Sequence, residues 1–169
     1  MSRVKKVVFL SLITAVMLVI GYFESFIPLP FNVPGVKLGI ANVFILTVIV
    51  FFDFKDGLTV VFVRNLLSLL ISGNFISFLL SLAGGIVSFL GMYLFYRFFK
   101  DKFSIVGISI LGSVLHITAQ MIFAYFIIQS QYVFYYIPIL LISALIAGVF
   151  TGLCSHFFIK LVKKHGFFG

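Results

Sequence analysis

The chain has 169 residues, 63% of them hydrophobic and 9% charged, with a mean hydropathy of +1.30. A soluble domain of this size lacks the polar residues to cover its exterior, so the composition excludes a water-solvated fold and points to a lipid-solvated one. The formal net charge of +8 sits at the ends of apolar runs, where topology determinants belong, and not along a basic stripe, which argues against nucleic acid as a partner.

A basic start, Met1 to Lys6, leads into an apolar run that continues to about Phe23. No small-residue cleavage pattern follows, so the run is expected to be a retained first helix and not a signal peptide. Glu24 and the cluster Pro28, Pro30, Pro34 and Gly35 end it, because proline cannot continue a helix and restrains the residue before it. The second run, Leu38 to Phe52, has only 15 residues, or about 22 Å of helix. It needs the preceding loop or a locally thin bilayer to span, and a re-entrant segment is the alternative. Asp53 to Asp56 form a polar turn in which Asp56 is placed to cap the next helix.

The third run, Gly57 to Ser72, contains Arg64 and Asn65 and stops at Gly73-Asn74. The fourth, Phe75 to Phe99, is interrupted only by Ala83-Gly84-Gly85 and is closed by Lys100-Asp101-Lys102. The fifth extends from Ser104 to Ile128, with Gln129-Ser130-Gln131 at its end, and the sixth from about Tyr135 to Val162, with Pro138 near its start and Lys163-Lys164-His165 behind it. Six spans of about 20 residues need roughly 120 residues. The expected architecture is therefore an all-α, polytopic six-helix bundle forming a single integral membrane domain, 1–169. With the N-terminus inside, ten basic residues fall in inner segments, Lys37 alone in an outer one, and Arg64 within a span. The positive-inside rule then puts both termini in the cytoplasm.

Ionisable residues within a span are costly and ask for a reason. Arg64 lies near the middle of its helix with Ser68 on the same face; it either pairs with helix-end carbonyls or Glu24, or it contacts a substrate. Glu24 and Lys37 flank the proline-rich loop, and Asn42 follows about a turn later. These residues line the mouth of a pocket in which Lys37 attracts an anion, or they form an interfacial ion pair in a solvated loop. His116 and Gln120, four apart, share a face of the fifth helix with Ser113; such a stripe serves a ligand or the neighbouring helices. Asn74 and Gln129 to Gln131 are outer-loop candidates, and Tyr132, Tyr135 and Tyr136 form an aromatic belt or a lid over a planar ligand. Ser11, Ala15 and the nearby Gly21 give the first helix a strip of small residues, a pattern that serves close packing within the chain or docking of a partner.

Other chemistry is missing. Cys154 is the sole cysteine, which excludes an intrachain disulfide and a thiol-rich metal site. Three histidines, two of them towards the other face, leave no metal site. No phosphate-cradling loop or nucleotide-hydrolysing motif is visible, and Asp53 and Asp56 form a lone D-x-x-D. Neither catalytic residues nor a cofactor are expected, and the protein is not expected to be an enzyme. No chain of buried acids suits autonomous secondary transport.

The stretch from Glu24 to Asn42 (ESFIPLPFNVPGVKLGIAN), Arg64, and the stretch from Ser77 to Gly85 (SFLLSLAGG) resemble the Gx transporter family, often labelled heptaprenyl diphosphate synthase component I. That family is similar to the substrate-binding (S) components of energy-coupling factor (ECF) transporters. The resemblance implies six helices with both termini inside, capture of a vitamin-like ligand from the outer side, and work alongside a transmembrane coupling subunit and two cytoplasmic ATPases. It implies a pocket formed by the first loop, Asn74 and the outer halves of the last three helices; from their polarity and placement, Lys37, Asn42, Arg64, His116 and Gln120 are the residues expected to meet a substrate there. Docking of the coupling subunit would fall on Ser11 and Ala15, where the family pattern has an alanine pair. The alternative is a membrane accessory subunit of polyprenyl diphosphate synthesis; chain elongation itself needs two acidic clusters to hold magnesium, which this chain does not supply.

Overall fold

The polar residues that interrupt the apolar runs become helix caps. A computed structural model describes residues 3–24, 26, 43–100 and 102–164. Among them are α1 (Arg3–Glu24), α2 (Val43–Phe51), α3 (Phe54–Ser72), α4 (Phe75–Phe99), α5 (Ile105–Ile128), a 3-10 helix (Gln131–Tyr136) and α6 (Ile137–Lys164), with no strand among these residues. Asn74 accepts a hydrogen bond from the Ser77 amide at 2.9 Å and starts α4, and Ser104 accepts from the Gly107 amide at 3.1 Å and starts α5. Gly73 (φ 64°) and Gln129 (φ 53°) end α3 and α5 in the left-handed conformation.

One expected cap is displaced. Asp53, not Asp56, is the N-cap of α3, which begins at Phe54, and Asp56 reaches back to accept from the Asp53 amide at 3.1 Å. That is the reciprocal arrangement of a capping box. Asp56 also holds Lys6 at 2.7 Å, tying the start of α1 to the start of α3. The onset of α6 differs too. Residues 131–136 coil as a 3-10 helix, and the α-helix begins only at Ile137, placing Pro138 in its first turn, where no amide is needed.

The exterior is apolar and the interior carries much of the polarity. Phe126, Ile146 and Phe150 are 68%, 68% and 58% exposed, whereas Arg64, Asn65, His116, Gln120 and Thr151 are buried. Water would reject such an arrangement and lipid favours it. Four helices are long and apolar enough to cross a membrane: α1, α4, α5 and the segment Gln131–Lys164. The protein is a multi-pass helical membrane protein. Of the six expected spans, α3 carries Lys55, Asp56 and Arg64, and the described part of α2 has nine residues, so neither qualifies by length and apolarity alone.

The most extensive helix contacts are those of α5 with α6 and with α4, while α1 packs chiefly on α3. Small residues set these distances. A Cβ on Gly148 or Gly152 would lie 2.7 Å from the Cα of Ile110 or Val106, so α6 meets α5 backbone to backbone, and the Ser109 and Thr151 hydroxyls bond across at 2.7 Å. Two apolar clusters result. One joins Ile13, Met17, Leu46, Val61, Phe89 and Met92 between α1 and α4; the other joins Leu80, Ile117, Met121, Val133 and Leu140 at the end of the bundle bearing the 3-10 helix.

Candidate functional site

Between and beside these clusters lies a layer of buried polar groups drawn from four helices. Arg64 and its neighbour Asn65 face inward from α3 with 6% and 2% exposure. The guanidinium Nη2 lies 3.0 Å from the point where a Cβ on Gly21 of α1 would stand, so only glycine lets it lie there without displacement. Glu24, one turn further along α1, is itself buried, and its carboxylate is the charged group that acts on Arg64. Asn65 donates its amide to the Val61 carbonyl at 2.8 Å.

The next two positions come from consecutive glycines. A Cβ on Gly85 would meet Val61 and the Asn65 amide at 3.2 and 3.4 Å, and one on Gly84 would press on the His116 ring and Gln120 Cγ at 2.9 Å. The bare backbone of α4 thus receives polar side chains of α3 on one side and of α5 on the other. The Gln120 amide nitrogen and His116 Nε2 are 3.1 Å apart, and with the amide as donor the neutral imidazole carries its proton on Nδ1. Ser113, a turn away on the same face, lies against Gly148 of α6.

Ser81 and Ser88 flank the glycine pair on the inward face of α4. Their hydroxyls are buried and have no hydrogen-bond partner among the described residues, and Thr47 of α2 is in the same state. Elsewhere the hydroxyls of Thr14, Thr118 and Ser143 bond the carbonyl four residues back, which satisfies them within their own helix. The layer therefore keeps hydrogen-bonding capacity that the protein leaves unspent, a situation that asks for an explanation. Because Ser81 donates to no described group, Ser81→Ala is expected not to lower the thermal unfolding temperature, since it removes a buried hydroxyl without breaking a hydrogen bond.

The structure buries Arg64, His116 and Gln120; His116 and Gln120 meet each other at Gly84 of α4, whereas Arg64 lies against Gly21 of α1. Asn74 lies elsewhere, exposed between α3 and α4 with its side-chain oxygen engaged as a cap. Lys37, Asn42, the Pro28 to Gly35 stretch and His165 lie outside the described residues. Glu24 is buried and not a solvated loop carboxylate, and its charge acts on Arg64, in line with the expectation that the two residues interact. Ser81 and Ser88 were not legible as candidates, since serines recur along these helices and only packing separates the satisfied from the unsatisfied. No group of metal-ligating side chains occurs among the described residues.

On the outer surface of α1, Ser11 and Ala15 are exposed and line an apolar groove of about 340 Å3 with Leu18, Thr59, Val63 and Leu67. Gly21 is not part of that strip; it faces Arg64. At the 3-10 helix, Tyr125, Gln131, Phe134 and Tyr135 line a pocket of about 390 Å3, and Tyr132 stacks on Tyr135 with ring centroids 6.1 Å apart.

The sequence profile of the family described as "Heptaprenyl diphosphate synthase component I" matches residues 13–158, which include every helix that contributes to the polar layer. The chain belongs to that family. No curated protein and no solved structure matches it. The described carboxylates each have a local role: Asp53 starts α3, Asp56 binds Lys6 and the Asp53 amide, and Glu24 acts on Arg64.

Proposed function

We propose that the protein is the substrate-binding S component of an ECF-type importer, which captures a small vitamin-like nutrient, anionic or amphipathic, from the outer side. In this reading α3, with 19 residues and about 28 Å of length, also crosses the bilayer with Arg64 turned inward, and α2 completes six crossings. Both termini are cytoplasmic in this reading, an orientation supported by the ten basic residues it places in inner segments.

The observation that carries the reading is the buried polar layer. An imidazole–amide pair meets the α4 backbone at Gly84 and Asn65 meets it at Gly85, the Ser81 and Ser88 hydroxyls beside them have no partner among the described residues, and the Arg64 cation is buried against Gly21 of α1 in the same lipid-solvated bundle. Intramembrane polar groups of this kind mark substrate paths or sites. Arg64 supplies a charge for an anionic group, His116 and Gln120 supply donor and acceptor, and Ser81 supplies a hydroxyl, with Lys37, Asn42 and Asn74 towards the outer side. The role is binding and not catalysis, so release inward requires reorientation driven by ATP hydrolysis in partner subunits.

The exposed Ser11–Ala15 groove suits a transmembrane coupling subunit, because small residues let a partner helix approach closely. Ser11→Leu/Ala15→Leu is expected to abolish copurification of the coupling subunit and its two ATPases and to leave ligand retention intact. Loss of both properties would mean that the groove is structural.

The family description favours a second reading, a membrane accessory subunit of polyprenyl diphosphate synthesis. Affinity purification from native membranes separates the two. ATPases and a coupling subunit support import; a soluble prenyl synthase in their place supports the other role.

A further inference from the structure

The turn between α2 and α3 and the last turns of α4 enclose a pocket of about 420 Å3, at the opposite end of the bundle from the 3-10 helix. Ile49 and Phe52 form its apolar wall, and Tyr93, Tyr96, Arg97, Lys100 and Asp53 its polar rim. Among the described residues, Arg97 and Lys100, three residues apart, set two cations against a single carboxylate in this rim. Neither forms an ion pair among the described residues, where the ion pair present is Lys6–Asp56. The C-terminal carbonyls of α2 and Asp53 balance part of this positive charge, and the remainder is left facing outward.

The rim continues directly into apolar surface. Leu94 and Phe98 on the neighbouring face of α4 are 51% and 72% exposed. Long basic side chains at a helix end present their heads at the headgroup level while their stems lie on apolar surface. Basic pockets between transmembrane helices take anionic headgroups in that position. A cavity of this size admits a phosphate with its first substituent.

We propose that this pocket holds the phosphate headgroup of an anionic lipid, with its hydrocarbon chain lying along Leu94 and Phe98. The inference rests on membrane placement and is independent of the outer polar layer and its ligand. Two kinds of lipid share the chemistry, a glycerophospholipid such as phosphatidylglycerol and a prenyl diphosphate.

Native mass spectrometry of the full chain tests it, with phosphatidylglycerol, farnesyl diphosphate, phosphatidylcholine and inorganic phosphate as separate probes. Phosphatidylglycerol or farnesyl diphosphate is expected to be retained over phosphatidylcholine, and the better of the two names the source. Arg97→Gln/Lys100→Gln is expected to lower that retention at least about tenfold. Lys163→Gln/Lys164→Gln, a basic pair in the last turn of α6, is expected to leave it unchanged. Both pairs are exposed, so thermal unfolding of the two variants reports folding independently. Equal retention of phosphatidylcholine, equal loss in both variants, or inorganic phosphate binding as tightly as the lipids would overturn the proposal.

Discussion

Arg64→Met is expected to produce the largest loss of stability of any single substitution in the bundle, roughly 3–5 kcal/mol. The reason is what it leaves behind. Glu24 is buried at the end of α1, and Arg64 is the cation whose field it shares. Removing the guanidinium takes an opposite charge away from a buried carboxylate, and a buried charge that loses compensation is costly. Glu24→Gln/Arg64→Met is therefore expected to recover most of the loss, because neither residue is then charged. Thermal unfolding of the two variants and wild type in one detergent measures this. A double variant no more stable than Arg64→Met would show that Glu24 is not the group Arg64 serves. The recovered double variant also separates fold from function: it lacks the cation assigned to the ligand, so it is expected to be stable and yet not to retain a bound anion.

Gly148→Val/Gly152→Val is the second large effect, acting through distance and not through charge. Even one added carbon at either glycine would sit 2.7 Å from a backbone Cα of α5, closer than real Cβ atoms come. The helices must separate, breaking the Ser109–Thr151 bond and loosening the most extensive contact in the bundle. Overpacking of this kind costs about 1–3 kcal/mol per site, and two sites one turn apart on one interface will not add independently. Gly107→Ala is the control. Its nearest neighbours would lie 3.6 Å away, and alanine in a helix is favoured over glycine by up to about 1 kcal/mol. A valine pair that unfolds at the wild-type temperature would show that α5 and α6 do not meet as closely as described.

The sequence foretold elements bounded by unambiguous chemistry. The bounds of α4 and the end of α5 fall where expected because Gly73, Asn74 and Gln129 each have one natural role at a helix end. The start of α3 was less legible, since two aspartates three residues apart both suit the cap, and only the fold assigns Asp53 outside and Asp56 inside. The onset of α6 was blurred by a run of aromatic residues that reads equally as α or 3-10. In the site, Arg64, His116 and Gln120 stood out as polar exceptions within apolar runs. Ser81 and Ser88 did not, because a serine in a membrane helix can satisfy itself locally, and the packing around the Gly84-Gly85 pair decides whether it does. Gly21 was grouped with Ser11 and Ala15 by its size, yet helical phase turns it to the opposite task of admitting a guanidinium.

The central claim is that the inward polar layer holds a small molecule which the protein's own groups do not replace. The direct measurement is mass spectrometry of small molecules carried through gentle purification by wild type and by Glu24→Gln/Arg64→Met. A single species bound stoichiometrically to wild type and absent from the equally folded double variant is the expected result. The same species on both proteins would contradict the account, as would a wild-type protein that carries nothing from membranes of cells in which it is active.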